Sequence, residues 1–269
     1  MRAGRLRTTG SRWMTDGWPD DALSRDDFLG GQLRLWQPKT GYRAGVDPVL
    51  LAASVPARAG DTVLDLGCGA GVAALCVARR VPEVVATGLE VQPAYADLAR
   101  RNAEENDLPL EVVAGDLVHM PEILKQRRFT HVLANPPYFD RESSTKVEDR
   151  GRETGRGEAT PLGDWIAAAS KRCAPKGTVT LIQRAERLPD MLNHAARHLG
   201  SLEVLPLIPR KGREARLVLM RGRKGGRASF RLHDGWILHE GGSHLGGREN
   251  YNAATTCVLR LGEPLLFPE

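Results

Sequence analysis

The sequence predicts a doubly wound α/β fold: a seven-stranded, mostly parallel sheet with helices on both faces and an antiparallel edge strand. Three observations lead to this prediction. Short apolar, β-branched runs alternate with helical segments over most of the 269 residues. A hydrophobic share of 41% suits a globular protein with one large core. The first of the runs, residues 62–66, passes through a glycine-rich turn into a helix, which is how a β-α-β unit begins.

The predicted elements follow the order β-α-β-α-β and then β-α-β-α-β-β. The strands are apolar runs bounded by turn residues, at 62–66, 84–89, 110–113, 131–134, 177–182, 202–208 and 215–220. The last two form a hairpin, which makes the final strand antiparallel. Helices are predicted at 49–54, 72–80, 93–106, 161–173 and 187–199. Three of them have a proline at their start, where the first turn needs no backbone N–H: Pro48, Pro93 and Pro161.

The remaining segments are predicted from composition. Residues 15–30 are acidic and polar, so residues 1–30 are interpreted as a flexible lead-in. Residues 31–269 are interpreted as a single domain, because no low-complexity linker divides them. A short strand is expected at 33–36, and one more strand or hairpin at 230–239.

The chain shows no signal for export, membrane insertion or metal binding. Residues 1–13 carry four arginines without an apolar run, which excludes a signal peptide, and Met14 is a hypothetical alternative start. No segment is apolar over the length of a membrane span. His194 and His198 lie four apart on a predicted helix but lack a third ligand. The four cysteines form no Cys-x-x-Cys pair, which indicates free thiols in the cytoplasm: Cys68, Cys76, Cys173 and Cys257.

The net positive charge of the chain favours a polyanionic partner. The formal net charge is +5 and the pI is about 9.2. Arginines and lysines separated by glycines cluster at 210–216 and 221–227, within a basic C-terminal extension of about 210–269. Such residues predict a surface that follows phosphates; a solvated sheet edge is the alternative.

The tetrapeptide Asn135-Pro136-Pro137-Tyr138 is the strongest candidate site. It follows the buried strand predicted at 131–134, and its prolines cannot continue a strand ladder, so the chain leaves the sheet at its C-terminal edge. Ligands bind at that edge in open α/β sheets. The Asn135 carboxamide and the Pro136 carbonyl can each accept a hydrogen bond from one NH₂ group, and Tyr138 offers a ring for stacking. These groups suit the task of holding a planar amine during attack on an electrophile.

A second candidate site is the glycine loop Gly67-Cys68-Gly69-Ala70-Gly71. Its glycines allow close approach of a ligand to the backbone, beside the N-terminus of the next helix. The dinucleotide fingerprint G-x-G-x-x-G is the competing interpretation, but Val72 occupies the position of its last glycine. Asp65 precedes the loop by two residues.

Three further acidic residues are candidates. Glu90 ends the second strand about 20 residues beyond the glycine loop, where a carboxylate can accept both hydroxyls of a ribose. Asp116 follows the third strand, and a plain turn aspartate is an open alternative. Asp47 precedes Pro48, and a helix N-cap is its open alternative. Residues 139–160 have no periodicity and allow two interpretations, a substrate lid or a flexible insertion.

These motifs together resemble a known family. The pattern from Asp65 to Gly71 is similar to motif I of the S-adenosylmethionine (SAM)-dependent methyltransferases, many of which share Asn-Pro-Pro-Tyr. Residues 41–51, Gly-Tyr-Arg-Ala-Gly-Val-Asp-Pro-Val-Leu-Leu, are the more specific link. They resemble the segment before motif I in bacterial tRNA (adenine-N6)-methyltransferases that modify the adenine beside the anticodon of a valine tRNA. The resemblance runs from about Gly31 to Leu261.

The resemblance implies a Rossmann-like class I methyltransferase fold, SAM as cofactor and tRNA as partner, without a metal. Direct transfer onto an adenine N6 amine would be carried by Asn135, Pro136, Pro137 and Tyr138. An anticodon-loop base is easier to extrude than one inside a duplex. The residues implied to hold SAM are Gly45, Asp47, Asp65, Gly67, Cys68, Gly69, Gly71, Glu90, Asp116 and Asn135.

Other substrates and one other function remain open at this point. Methylation of a ribosomal RNA base uses the same chemistry. Release-factor glutamine methyltransferases use Asn-Pro-Pro-Tyr on a side-chain amide, but they carry a helical N-terminal domain, whereas about 60 polar-rich residues precede motif I here. A non-catalytic RNA-binding module would have no need of the intact Asp65, Gly67, Glu90 and Asn135.

Overall fold

The computed structural model describes residues 17–138, 160–241 and 250–268. The expectations for residues 1–13 and for nearly all of the 139–160 segment lie outside the described residues. Of the helices within these ranges, none has the length and apolar character to cross a membrane.

One nine-stranded sheet organises the chain, and it confirms the predicted fold class. Its seven core strands are β3 (Thr62–Leu66), β4 (Val85–Glu90), β5 (Leu110–Ala114), β6 (Phe129–Ala134), β7 (Cys173–Arg184), β8 (Gly200–Ile208) and β9 (Leu217–Arg223). Two-residue strands, β10 (Arg231–Leu232) and β11 (Trp236–Ile237), pair in parallel with β8. The spatial order is β10-β8-β9-β7-β6-β3-β4-β5. The predicted antiparallel strand, β9, is not at the edge: it lies between β7 and β8, because β8 and the short β10 and β11 extend the sheet beyond it.

Helices cover both faces of the sheet because successive strand side chains point to opposite sides. The helices are α1 (Asp47–Ser54), α2 (Val72–Arg80), α3 (Pro93–Glu105), α4 (Glu122–Lys125), α5 (Leu162–Arg172), α6 (Leu188–Ala195) and α7 (Ala253–Thr256). Val63 joins the hydrophobic core formed with α1 and α2, whereas its neighbour Leu64 joins the core formed with α5 and α6. Two apolar layers thus hold the strand ends in fixed positions.

The lead-in predicted for residues 15–30 is wrong where strand β1 (Leu23–Phe28) forms an antiparallel hairpin with β2 (Leu33–Pro38). Composition concealed β1 because its charged residues Arg25 and Asp27 occupy the exposed side of the ribbon. The hairpin is fastened to α3 by Asn102, whose carboxamide donates to Trp36 O at 3.1 Å and accepts from Trp36 N at 2.7 Å.

Candidate functional site

A cleft of about 800 Å³ opens at the C-terminal edge of the sheet. Strands β3, β4, β5 and β6 all end there, because parallel strands present their carboxyl ends to the same edge. The candidate residues that line the cleft are Gly45, Asp47, Asp65, Gly67, Cys68, Gly69, Glu90, Asp116, Asn135, Pro136, Pro137 and Tyr138. Gly71 does not line it. An added Cβ at Gly71 would lie 3.2 Å from Ala99 and Leu110, so its small size serves helix packing.

The glycine loop needs its glycines for two separate reasons. Gly67 and Gly69 have φ angles of 66° and 54°, in the left-handed region that glycine occupies without strain. Gly67 also lies against the Trp165 ring, which an added Cβ would approach to 2.5 Å. Gly69 has room beside it, with Tyr42 Cε1 3.8 Å from the same position. The loop therefore follows one tight path under the cleft.

Glu90 holds this loop in place. One carboxylate oxygen accepts from Gly69 N and the other from Gln92 N, both at 2.9 Å. Burial raises the pKa of the Glu90 carboxyl, and the backbone donors partly offset that effect. A carboxylate has about four acceptor positions, so both oxygens keep capacity for a ligand's hydroxyl groups.

Asp65 is a buried carboxyl beneath the loop. Its Oδ2 accepts from Ala74 N at 3.2 Å. Burial, with a smaller contribution from the charge of Glu90, raises the pKa of Asp65 to about 8. A cationic group bound in the cleft would offset this cost, because an opposite charge favours the ionised form.

This burial predicts a pH dependence of stability. The pKa of Asp65 is 3.8 as a free group and about 8 in the folded chain. Between these values the folded protein holds a proton that the unfolded chain has released, so stability falls as pH rises. We expect Asp65→Asn, which keeps an acceptor for Ala74 N, to lose this contribution. Urea unfolding measures the free energy of unfolding of both proteins at about pH 5 and about pH 8. The value for the variant minus that for the wild type should be larger at the higher pH. A constant difference would contradict titration of Asp65 in this range.

The carboxamide of Asn135 uses its nitrogen but not its oxygen in hydrogen bonds with the described residues. Its Nδ2 donates to the Tyr42 hydroxyl at 3.4 Å. Its Oδ1 is buried and accepts no hydrogen bond from any residue within the described ranges. A buried acceptor without a donor is costly, and a ligand amine would supply the donor.

Tyr138 connects the tetrapeptide to the segment that precedes the glycine loop. Its hydroxyl donates to Asp47 Oδ2 at 2.6 Å. Burial raises the pKa of both groups. The alternative that Asp47 is a helix N-cap is wrong, because no side chain caps α1 and Val46 occupies the cap position. The Arg184 guanidinium lies 5.8 Å from the centre of the Tyr138 ring.

Asp116 shows the local turn contacts of the alternative interpretation. Its Oδ1 accepts from Val118 N at 2.9 Å, and its Oδ2 lies 3.2 Å from His119 Nδ1. The residue nevertheless lines the cleft. Its role toward a ligand stays a prediction.

Sequence reasoning missed Gln183 as part of the site. This buried residue of β7 donates from Nε2 to Pro136 O at 3.4 Å and to Pro137 O at 3.3 Å. It thereby holds the backbone that follows Asn135. A glutamine directly after the apolar run at 177–182 was the available signal, since a buried amide needs partners. Within the described part of the chain, no three His, Cys, Asp or Glu side chains converge as metal ligands.

Comparison with known proteins gives a consistent result. The family model described as methyltransferase small domain matches residues 44–194, which include the glycine loop, Glu90 and the tetrapeptide. A Porphyromonas gingivalis protein named tRNA1(Val) (adenine(37)-N6)-methyltransferase is 34% identical over 183 residues, covering 65% of this chain and 71% of the relative. A Shewanella baltica protein of the same name is 30% identical over 200 residues, covering 71% of this chain and 82% of the relative.

Solved structures show the same architecture. A predicted O-methyltransferase from Agrobacterium tumefaciens has a TM-score of 0.67 at 26% identity, covering 83% of this chain and 100% of that one. A Thermus thermophilus 16S rRNA N2 G1207 methyltransferase, in complex with AdoMet and guanosine, has a TM-score of 0.53 at 22% identity. It covers 75% of this chain and 50% of that one, and the likeness shows the fold alone.

Proposed function

The chain belongs to the methyltransferase small domain family and is a SAM-dependent methyltransferase; we propose that it methylates the exocyclic N6 amine of an adenine in the anticodon loop of a tRNA. The observation that carries this proposal is the buried Asn135 Oδ1, which lacks a donor among the described residues. An NH₂ group of a substrate base would provide one.

The cleft has the donors and acceptors that SAM requires. The Glu90 carboxylate would accept the ribose hydroxyls, and Asp65 would pair with the amino group of the methionine end. Gly67 and Gly69 leave the backbone of the loop open to close approach. Bound there, SAM supplies a methyl group on a positively charged sulfur, which is already an activated electrophile.

The residues of the chain then act on the amine. Asn135 Oδ1 would accept a hydrogen bond from one N6–H, and the Pro136 carbonyl, held by Gln183, would accept a hydrogen bond from the other. The methylated amine then releases one proton to water. These two acceptors direct the nitrogen lone pair and stabilise the positive charge that develops on the amine during transfer. Positioning supplies the rest, because the amine and the methyl group are brought together in one geometry.

The relatives support an adenine in tRNA over the other amines. Two of them, at 34% and 30% identity, carry a name that specifies adenine 37 of tRNA1(Val). The likeness to the ribosomal RNA enzyme is limited to the fold. A tRNA substrate would also place the protein in the cytoplasm, in keeping with four free cysteines.

The proposal is tested by methyl transfer from labelled SAM onto total tRNA from a strain that lacks the gene, followed by nucleoside mass spectrometry. We expect labelled N6-methyladenosine. The matched control is tRNA from the parent strain, which should accept little label because its site is already methylated. Label that enters ribosomal RNA or a release factor, and no tRNA, would overturn the proposed substrate.

A further inference from the structure

The structure separates the basic residues around strand β9 into two groups, one at each end of that strand. One end lies at the edge of the sheet that carries the cleft, and the other lies at the far edge. Strand β9 runs antiparallel to β7, with Leu217 opposite Arg184 and Arg223 opposite Thr178. Six residue steps of about 3.3 Å place these ends roughly 20 Å apart. The loop of residues 209–216 therefore lies at the edge that carries the cleft, and residues 223–227 lie at the far edge.

The loop at the cleft edge, residues 209–216, adjoins the site through the backbone. Arg216 O accepts from Ala185 N at 2.9 Å, directly beside Arg184, whose guanidinium faces the Tyr138 ring. Two inter-strand spacings, about 10 Å, separate β9 from β6. Ala134 lies opposite Leu181 and Leu217 opposite Arg184, so the start of β9 is also three residues further along the strand direction, and the separation from the end of β6 is roughly 14 Å. A phosphate adjoining a base held in the cleft would lie at this range.

The base of this loop is anchored and its outer side chains are exposed. Arg210 is buried and donates to the carbonyls of Glu240 and Gly241. Lys211, Arg213 and Arg216 are exposed. Within the described ranges these three cations form no ion pair, and Glu214 is the one acidic residue of the loop.

Arg221, inside β9, and Arg223, in the far group, are both bound to other parts of the protein. Arg221 is paired with Glu203 at 2.7 Å and lies 4.1 Å from the centre of the Phe267 ring. Arg223 donates to Lys176 O at 3.3 Å. Glu203 reaches Arg221 from the neighbouring strand β8.

We propose that Lys211, Arg213 and Arg216 form the surface that binds the RNA backbone beside the target base. The residues 223–227 at the far edge do not contribute to this contact. The inference rests on the proposed RNA substrate and specifies where that substrate is bound. Arginine and lysine at such a surface neutralise phosphates and release counterions, so binding through them depends on salt.

The test compares two triple charge reversals of equal size. One is Lys211→Glu, Arg213→Glu and Arg216→Glu; the matched control is Arg223→Glu, Lys224→Glu and Arg227→Glu. We expect the cleft-edge triple to weaken tRNA binding by about 10- to 100-fold near 0.1 M KCl and to reduce the salt slope by about 2. SAM affinity by calorimetry should be unchanged, and the far-edge triple should bind tRNA within about twofold of wild type.

A variant that is expected to bind tRNA more tightly tests the inference even if the cleft-edge triple fails to fold. Glu214→Lys adds a cation to the same loop and should tighten tRNA binding several-fold; no change in this variant would count against the loop. Equal loss in both triples, or a larger loss at the far edge, would overturn the inference. If the cleft-edge triple does not fold, the three glutamine replacements serve in its place.

Failure of this inference differs from failure of the proposed function. If wild-type protein binds SAM but methylates no tRNA, the proposed substrate is wrong. If wild-type protein methylates tRNA and the cleft-edge triple retains the same KM for tRNA, only the assigned surface is wrong.

Discussion

Replacing Asn135 with alanine is expected to lower the rate of methyl transfer by about 10²- to 10³-fold, the effect of removing one preorganised hydrogen-bonding group from an active site. The variant loses the buried Oδ1 that lacks a donor among the described residues. The Pro136 and Pro137 carbonyls stay in place because Gln183 holds them. Affinity for SAM should therefore change little. Single-turnover transfer from labelled SAM measures the rate, and calorimetry measures the affinity.

Tyr42→Phe is the matched control for this prediction. It removes the hydroxyl that accepts from Asn135 Nδ2 at 3.4 Å and leaves Oδ1 intact. We expect a loss of less than about tenfold, since that hydrogen bond is long and contributes roughly 1 kcal/mol. If Asn135→Ala loses SAM affinity as strongly as rate, Asn135 belongs to the cofactor site and not to amine orientation.

Gly67→Ala is expected to abolish SAM binding and to destabilise the fold by about 2–5 kcal/mol. The new Cβ would lie 2.5 Å from the Trp165 ring. Overpacking of this kind costs about 1–3 kcal/mol, and a left-handed φ costs a further 1–2 kcal/mol or so for an alanine. The loop must move to relieve the contact, and its backbone then no longer follows the cleft. Urea unfolding and calorimetry with SAM measure the two effects.

Gly69→Ala separates the two causes. Its φ is also left-handed, at 54°, but the added Cβ would meet Tyr42 Cε1 only at 3.8 Å. This variant should therefore lose about 1–2 kcal/mol, the cost of the backbone conformation alone. Equal destabilisation at both positions would show that the contact with Trp165 is relieved by a small movement of the indole ring.

The sequence by itself determined the features that depend on neighbouring residues. Three such features are the strand at 62–66, the glycine turn after it, and the strand that ends before Asn135 and its two following prolines. Each is encoded within about ten residues, and the structure places them as predicted. Because parallel strands end at one edge, the order of these elements was enough to bring Asp65, Glu90 and Asn135 to the same cleft.

Tertiary structure alone decided the features that depend on which strands lie side by side. The contact of Tyr138 with Asp47 joins residues 91 positions apart, and no local pattern specifies such a pair. Strand β1 escaped prediction because its charged residues face solvent. The length of β9 separates the basic residues that precede it from those that follow it, and its antiparallel pairing with β7 places residues 209–216 at the edge that carries the cleft. Strand direction depends on which strands pair in the sheet, and composition carries no record of it.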